Sequence, residues 1–221
     1  MKKKRLFLWN RIFDCCLASR RLEVSRQLDF HRCCVLKVST TRHPVSGARI
    51  LLSAATDGRV ALWDLDRLVR ADQIKDQPVN HWKLHQSGVN SLDWFWTDET
   101  SGYQLLLLTG GDDNALTLSR VAVDAALTHA RIADQHCQVD AHAGQISGAS
   151  FVAGGRLAVS VSLDQRLMLW RVRNADLERL SGVCCDVPDI QGLDVDATDP
   201  SQSLVCVYGQ GLQLVRIHHN P

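Results

Sequence analysis

Four runs of this chain lie on one another without gaps, and that periodicity constrains the fold more than any other feature of the sequence. They are "LLSAATDGRVALWDL" from Leu51, "LLLTGGDDNALTLSRV" from Leu106, "RLAVSVSLDQRLMLWRV" from Arg156 and "SLVCVYGQGLQLVRI" from Ser203. Their turn positions fall at Asp57, Asp113, Asp164 and Gln210, and six residues later come Trp63, Ser119, Trp170 and Arg216. Each run is an apolar segment, a turn rich in Gly, Asp or Asn, then an alternating segment, which is the pattern of a β-hairpin. Upstream, His31, His85 and His142 recur in matching phase, each with a β-branched residue four positions on (Val35, Val89, Ile146), and Asp186 stands where a fourth His would fall. The repeat predicts an all-β chain.

The same repeat disposes of a tempting motif. Gly111-Asp112-Asp113 between two apolar runs resembles the paired carboxylates with which a polymerase palm holds two metal ions. Asp113, however, has repeat counterparts at Asp57 and Asp164, whereas Asp112 matches Thr56 and Leu163. A catalytic pair is not one register of a structural repeat, so these residues are read as a tight turn. No catalytic residue, cofactor site or metal site is expected. His129, His136 and Cys137 lack a tetrahedral set with short paired spacings and are read as surface loop residues.

Net charge is +1, but residues 1–32 hold nine Lys/Arg, Lys2, Lys3, Lys4 and Arg5 among them, against Asp14, Glu23 and Asp29. Lys2 to Arg5 are candidate contacts for RNA phosphates or an acidic partner, beside the simpler reading of a solvated basic edge. The eight Cys include three adjacent pairs, whose side chains on a strand point to opposite faces, and there is no Cys-x-x-Cys. Reduced thiols in a cytoplasmic protein fit this usage best. "MKKKRLFLWNRIFDCCLAS" mimics a signal peptide, but Asn10, Arg11 and Asp14 interrupt its apolar run. No targeting or membrane segment is predicted.

With these runs in view, the sequence resembles the WD40 family of β-propellers, built from four-stranded blades. "RVALWDL" is close to the motif that ends a blade in that family. The resemblance implies a buried hydrogen-bonded tetrad of His142, Ser162, Asp164 and Trp170, with His31, Asp57, Trp63, His85 and Asp113 as blade-entry and turn equivalents. Ala55 and Gly111 would then occupy the serine position and Ser119 the tryptophan position, so those blades should rest more on apolar packing. The histidine spacing of 54 and 57 residues exceeds the roughly 40–45 usual for a blade. "DLDRLVRADQIKDQP" and "VDAALTHARIADQ" are read as short helical insertions that carry the surplus. "KRLFLWNRI" matches "QRLMLWRVR", so the chain is expected to begin inside a blade, with "EVSRQLDF" as its fourth strand. The expected plan is an incomplete ring of three whole blades plus two partial blades: 1–30, 31–84, 85–141, 142–188 and 189–221. That would be the carboxyl-terminal part of a larger propeller protein, the alternative being a small five-bladed ring.

"HQSGVNSLDW", "LLLLTGGDDNALTL" and "AHAGQISGASF" further resemble one subfamily, the multi-propeller WD-repeat partners of the tRNA wobble-position 2′-O-ribose methyltransferase. The resemblance implies a cytoplasmic, non-catalytic scaffold that holds an FtsJ-type methyltransferase and positions tRNA so that its nucleotide 34 is methylated. The residues support the non-catalytic half directly: Gly110-Gly111 and Gly154-Gly155 are isolated within strand-rich repeats, so the Gly-rich strand-to-helix turn of a methyl-donor site is missing. The alternative is a protein–protein adaptor such as a ubiquitin-ligase substrate receptor or signalling scaffold. Such receptors generally end a blade in Trp-Asp-x-Arg, a pattern that "WDLDR" and "WRVR" both miss.

Overall fold

The computed structural model describes residues 27–70, 77–99, 102–199 and 201–219. Among these described residues, fifteen strands form four antiparallel sheets in a propeller arrangement of blades. The first sheet holds β1 (Val35–Arg42), β2 (Arg49–Ala55), β3 (Arg59–Asp64) and β4 (Asn80–Lys83). The second holds β5 (Val89–Glu99), β6 (Gly102–Gly111), β7 (Leu116–Val123) and β8 (Ala130–Gln138). The third holds β9 (Ile146–Val152), β10 (Leu157–Ser162), β11 (Arg166–Arg173) and β12 (Asp176–Cys184). The fourth, of three strands, holds β13 (Gly192–Asp196), β14 (Gln202–Gly209) and β15 (Gly211–His218). Each strand pairs with its sequence neighbour.

The four-leucine run explains how the sheets stack. Successive strand residues face opposite sides, so Leu105 and Leu107 pack with Ile50, Leu52, Val60 and Leu62 of the first sheet. Leu106 and Leu108 point the other way, into a cluster with Ile146, Phe151, Met168 and Trp170 of the third. The same division recurs on β10, where Ala158 faces back and Val159 and Val161 face on to Val205 and Val207. A sheet buried on both faces needs apolar residues at every position, and that is what the run supplies.

Polar side chains pin the seams. On β5, the Trp94 indole donates to Ser39 Oγ at 2.9 Å and the Trp96 indole donates to Thr41 Oγ1 at 2.9 Å, both on β1 of the neighbouring sheet. At the next seam Asp93 accepts Ser150 Oγ–H at 2.7 Å and Phe151 N–H at 2.8 Å.

The turn after the conserved-phase Asp is left-handed in each complete repeat: Gly58 (φ +77), Asn114 (φ 62) and Gln165 (φ 59). Gly58 is compelled twice, since a Cβ there would also lie 2.2 Å from the His85 carbonyl oxygen.

One expectation needs correcting. Of the two predicted insertions, the first contains α1 (Leu65–Arg70), with 71–76 outside the described residues. The second is no helix. Asp124 accepts the amides of Thr128 and His129 at 2.8 Å each, Leu127 turns left-handed, and the chain enters β8 directly. The carboxylate offers the backbone a turn in place of a helical ladder. The anticipated first partial blade lies outside the described residues except for 27–30, which belong to no strand.

Candidate functional site

In the third sheet, His142 sits in the loop before β9, Asp164 in the β10–β11 turn, and Trp170 on β11. His142 Nδ1 lies 3.1 Å from Asp164 Oδ2, and its Nε2 lies 2.7 Å from Ser160 Oγ. The Trp170 indole N–H donates to the same Ser160 Oγ at 2.9 Å. Burial pushes the His142 pKa below its ordinary value, against the pull of Asp164, so the ring is neutral. A neutral ring fixes the protons: Nδ1–H donates to Asp164, Ser160 Oγ–H donates to Nε2, and Trp170 donates to Ser160. Asp164 also accepts the amides of Ala143 at 2.9 Å and Arg166 at 3.0 Å.

The bridging hydroxyl is therefore Ser160, and the assignment of that role to Ser162 was wrong. Ser162 ends β10, and its Oγ accepts the Asp164 amide at 3.1 Å. The physical reason is reach: with Nδ1 held at the turn, the far nitrogen of the imidazole meets the strand one pleat deeper, two residues back on the same face.

The corrected position reads through the repeat. Four residues before the turn Asp stand Ser53, Thr109 and Ser160, hydroxyls in all three complete units. This was the available signal. In the first unit His31 Nε2 lies 2.8 Å from Ser53 Oγ, which also accepts the Trp63 indole N–H at 2.9 Å. In the second, His85 Nε2 lies 2.9 Å from Thr109 Oγ1 and Nδ1 lies 2.8 Å from Asp113. The units with Ala55 and Gly111, expected to rest more on apolar packing, thus also hold polar networks. Ser119, in the tryptophan position, leaves its buried Oγ without a partner among the described residues.

Asp–His–Ser in this order is also the connectivity of a hydrolase triad. Here it performs no nucleophilic step. Ser160 is fully buried, and Trp170, which is 0% exposed, occupies the hydroxyl's other side.

The paired aspartates are spent as well. Asp113 accepts from His85, from Gln86 N at 2.8 Å and from Ala115 N at 3.3 Å. Burial alone would raise its carboxyl pKa, but these bonds outweigh it and hold the group below its ordinary value. Asp112 points elsewhere, accepting Asn90 Nδ2 at 2.6 Å. His136 pairs with Asp176 at 2.7 Å, and Cys137 is exposed on β8. Asp186 does not replace a histidine ring; its amide donates to Gln213 Oε1 at 2.8 Å. Lys2, Lys3, Lys4 and Arg5 lie outside the described residues. No helix among the described residues is long and apolar enough to cross a membrane.

Stacked four-stranded sheets with an imidazole–hydroxyl–indole bridge inside the sheet define a class, and comparison with known families agrees: the WD domain, G-beta repeat model matches residues 134–171. The chain thus carries a WD40 repeat match at 134–171, and its four sheets take a propeller arrangement. Over most of its length it is similar to the tRNA (34-2'-O)-methyltransferase regulator WDR6. Identity is 31% with the Rattus norvegicus protein and 28% with the Homo sapiens protein, in each case over 89% of this chain and 20% of the relative. The chain thus spans about a fifth of the length of these curated relatives. Among solved structures, a chain of the "Crystal Structure of Mitotic Checkpoint Complex" shares the fold, with a TM-score of 0.56 at 18% identity over 88% of this chain and 55% of that one.

Proposed function

We propose that this chain belongs to a non-catalytic WD-repeat subunit that regulates an FtsJ-type tRNA 2′-O-methyltransferase, holding the enzyme and tRNA so that the wobble ribose reaches the active site. The observation that carries this reading is the similarity, along 89% of the chain, to relatives named as regulators of tRNA 34-2'-O methylation. The geometry supports it from another side. The histidines, aspartates and serine that could suggest chemistry are consumed in blade architecture, with their reactive atoms buried or bonded. A subunit of this kind contributes by orientation, which can supply several kcal/mol of a barrier with no group joining the reaction. The test is methyl transfer to tRNA with purified full-length components, each omitted in turn. The protein alone should bind no S-adenosylmethionine and transfer no methyl group, and adding it to the methyltransferase should raise methylation at nucleotide 34. Unchanged wobble methylation in cells lacking the protein refutes the reading.

A further inference from the structure

The first repeat departs from its sisters at its blade-entry histidine. In the second and third repeats, the histidine Nδ1 is bonded to the turn aspartate, at 2.8 Å for His85 and 3.1 Å for His142. The same carboxylates take the amide of the next residue, Gln86 and Ala143. Asp57 does neither. It accepts the Arg59 amide at 3.0 Å and meets Arg59 Nε at 3.7 Å. His31 Nδ1 is left buried and without a hydrogen-bond partner among the described residues.

What stands beside it is a thiol. Two positions after the three histidines come Cys33, Ser87 and Gly144. A Cβ built on Gly144 would lie 3.3 Å from the Asp164 amide and 3.3 Å from Ser162 Oγ, so a side chain at this position looks straight at the aspartate turn. Cys33 fills that position in the first repeat. A ring nitrogen of His31, the Cys33 sulfur and an Asp57 oxygen all lie within 4.8 Å of one another. Because Nε2 is engaged with Ser53, the nitrogen free to face this cluster is Nδ1.

We propose that His31, Cys33 and Asp57 form a zinc site that clips the entry loop of the first blade to its hairpin turn. The ion replaces the direct histidine–aspartate bond of the other blades. One sulfur, one imidazole nitrogen and one carboxylate oxygen suit a borderline ion and not Mg²⁺ or Ca²⁺, which prefer all-oxygen shells. Zinc bonds of about 2.0–2.3 Å require the three donors to draw in by roughly 1 Å, within reach of side-chain rotation, and water completes the tetrahedron. Nδ1, which has no hydrogen-bond partner among the described residues, is the ring nitrogen that offers its lone pair. With Nδ1 on the metal, Nε2–H donates to Ser53 Oγ, whose place is fixed by Trp63; an outer hydrogen bond of this kind orients a ligating imidazole. A thiolate and a carboxylate neutralise the dication. Among the described residues, the other charged or titratable groups facing the cluster are Arg59 and His81, and Arg59 Nε must yield its contact with Asp57.

The test uses the full-length protein, freed of metal under reducing conditions and titrated with Co²⁺. One equivalent should give a thiolate-to-cobalt charge-transfer band, which Zn²⁺ abolishes on displacement. Cys33→Ser should remove the band and Asp57→Asn should weaken binding at least tenfold, whereas Cys34→Ser, at the exposed neighbouring thiol, should leave both unchanged. X-ray absorption at the zinc edge of the wild-type protein should show one sulfur among nitrogen and oxygen scatterers. This reading stands even where a variant folds poorly. No cobalt–thiolate band, a band that persists in Cys33→Ser, or a zinc shell with no sulfur or with two or more overturns the proposal.

Discussion

Replacing Ser160 with Ala removes one oxygen from the third blade and strands two buried partners. The Trp170 indole N–H and His142 Nε2, now 2.9 and 2.7 Å from Ser160 Oγ, would face a methyl group. Water has no easy entry, since Trp170 is 0% and His142 only 4% exposed. Each neutral group left unpaired in such surroundings costs about 1–3 kcal/mol, so the expected loss for the two is about 2–6 kcal/mol. Ser162→Ala makes the sharper comparison. It removes a single bond, from the Asp164 amide at 3.1 Å, at the end of a strand, for an expected loss of about 1 kcal/mol. Native-state hydrogen exchange of β10 and β11 amides reads local opening in this blade without requiring the whole protein to unfold in one step. Ser160→Ala should speed exchange tenfold or more beyond Ser162→Ala. Equal acceleration, or the reverse order, refutes the claim that Ser160 carries the bridge.

Four further outcomes follow from the same geometry. The buried, neutral His142 has a folded pKa below its ordinary 6.5, so its contribution to stability is complete above that pH and is lost as pH falls toward the folded value; melting curves between about pH 7 and 5 should show the decline, and His142→Gln should flatten it. The depressed Asp113 carboxyl acts in a separate window, its contribution present above the ordinary 3.8 and lost as pH falls through the lowered folded value. Ser119→Ala should change stability by no more than about 0.5 kcal/mol, or raise it, because the hydroxyl is buried without a partner; a loss above about 1 kcal/mol in denaturant titration shows that the oxygen is bonded after all. Trp94→Phe and Trp96→Phe should each cost about 1 kcal/mol, and a double-mutant cycle with Ser39→Ala should show coupling for Trp94 alone.

The sheets were readable because hairpin turns and apolar runs are local signals. "LLLL" specifies a strand buried on both faces whatever lies around it, and Asp57, Asp113 and Asp164 mark their turns without help from the fold. The bridging serine was not readable from one repeat alone: Ser160 and Ser162 lie on the same strand face, and only the reach of an imidazole pinned at Asp164 decides between them. Comparing Ser53 and Thr109 across repeats would have decided it. The segment 123–135 was misjudged for a related reason. Its composition suits a helix, but Asp124 captures the amides that a first helical turn would use. The His31–Cys33–Asp57 cluster joins residues whose spacing carries no metal signature, since the turn that brings Asp57 back is a property of the hairpin.

The two tryptophans of β5 have a mechanical meaning. A single bond between neighbouring blades would act as a pivot, free to let one sheet swing about it. Trp94 on Ser39 and Trp96 on Thr41 make two anchor points along one strand, and two points define a line that resists twisting as well as sliding. Torque applied to the first blade is therefore delivered to the second with little lost in the joint. If a bound partner pulls at either blade, the pair should answer as one lever, with any yielding displaced to seams that lack this double fastening.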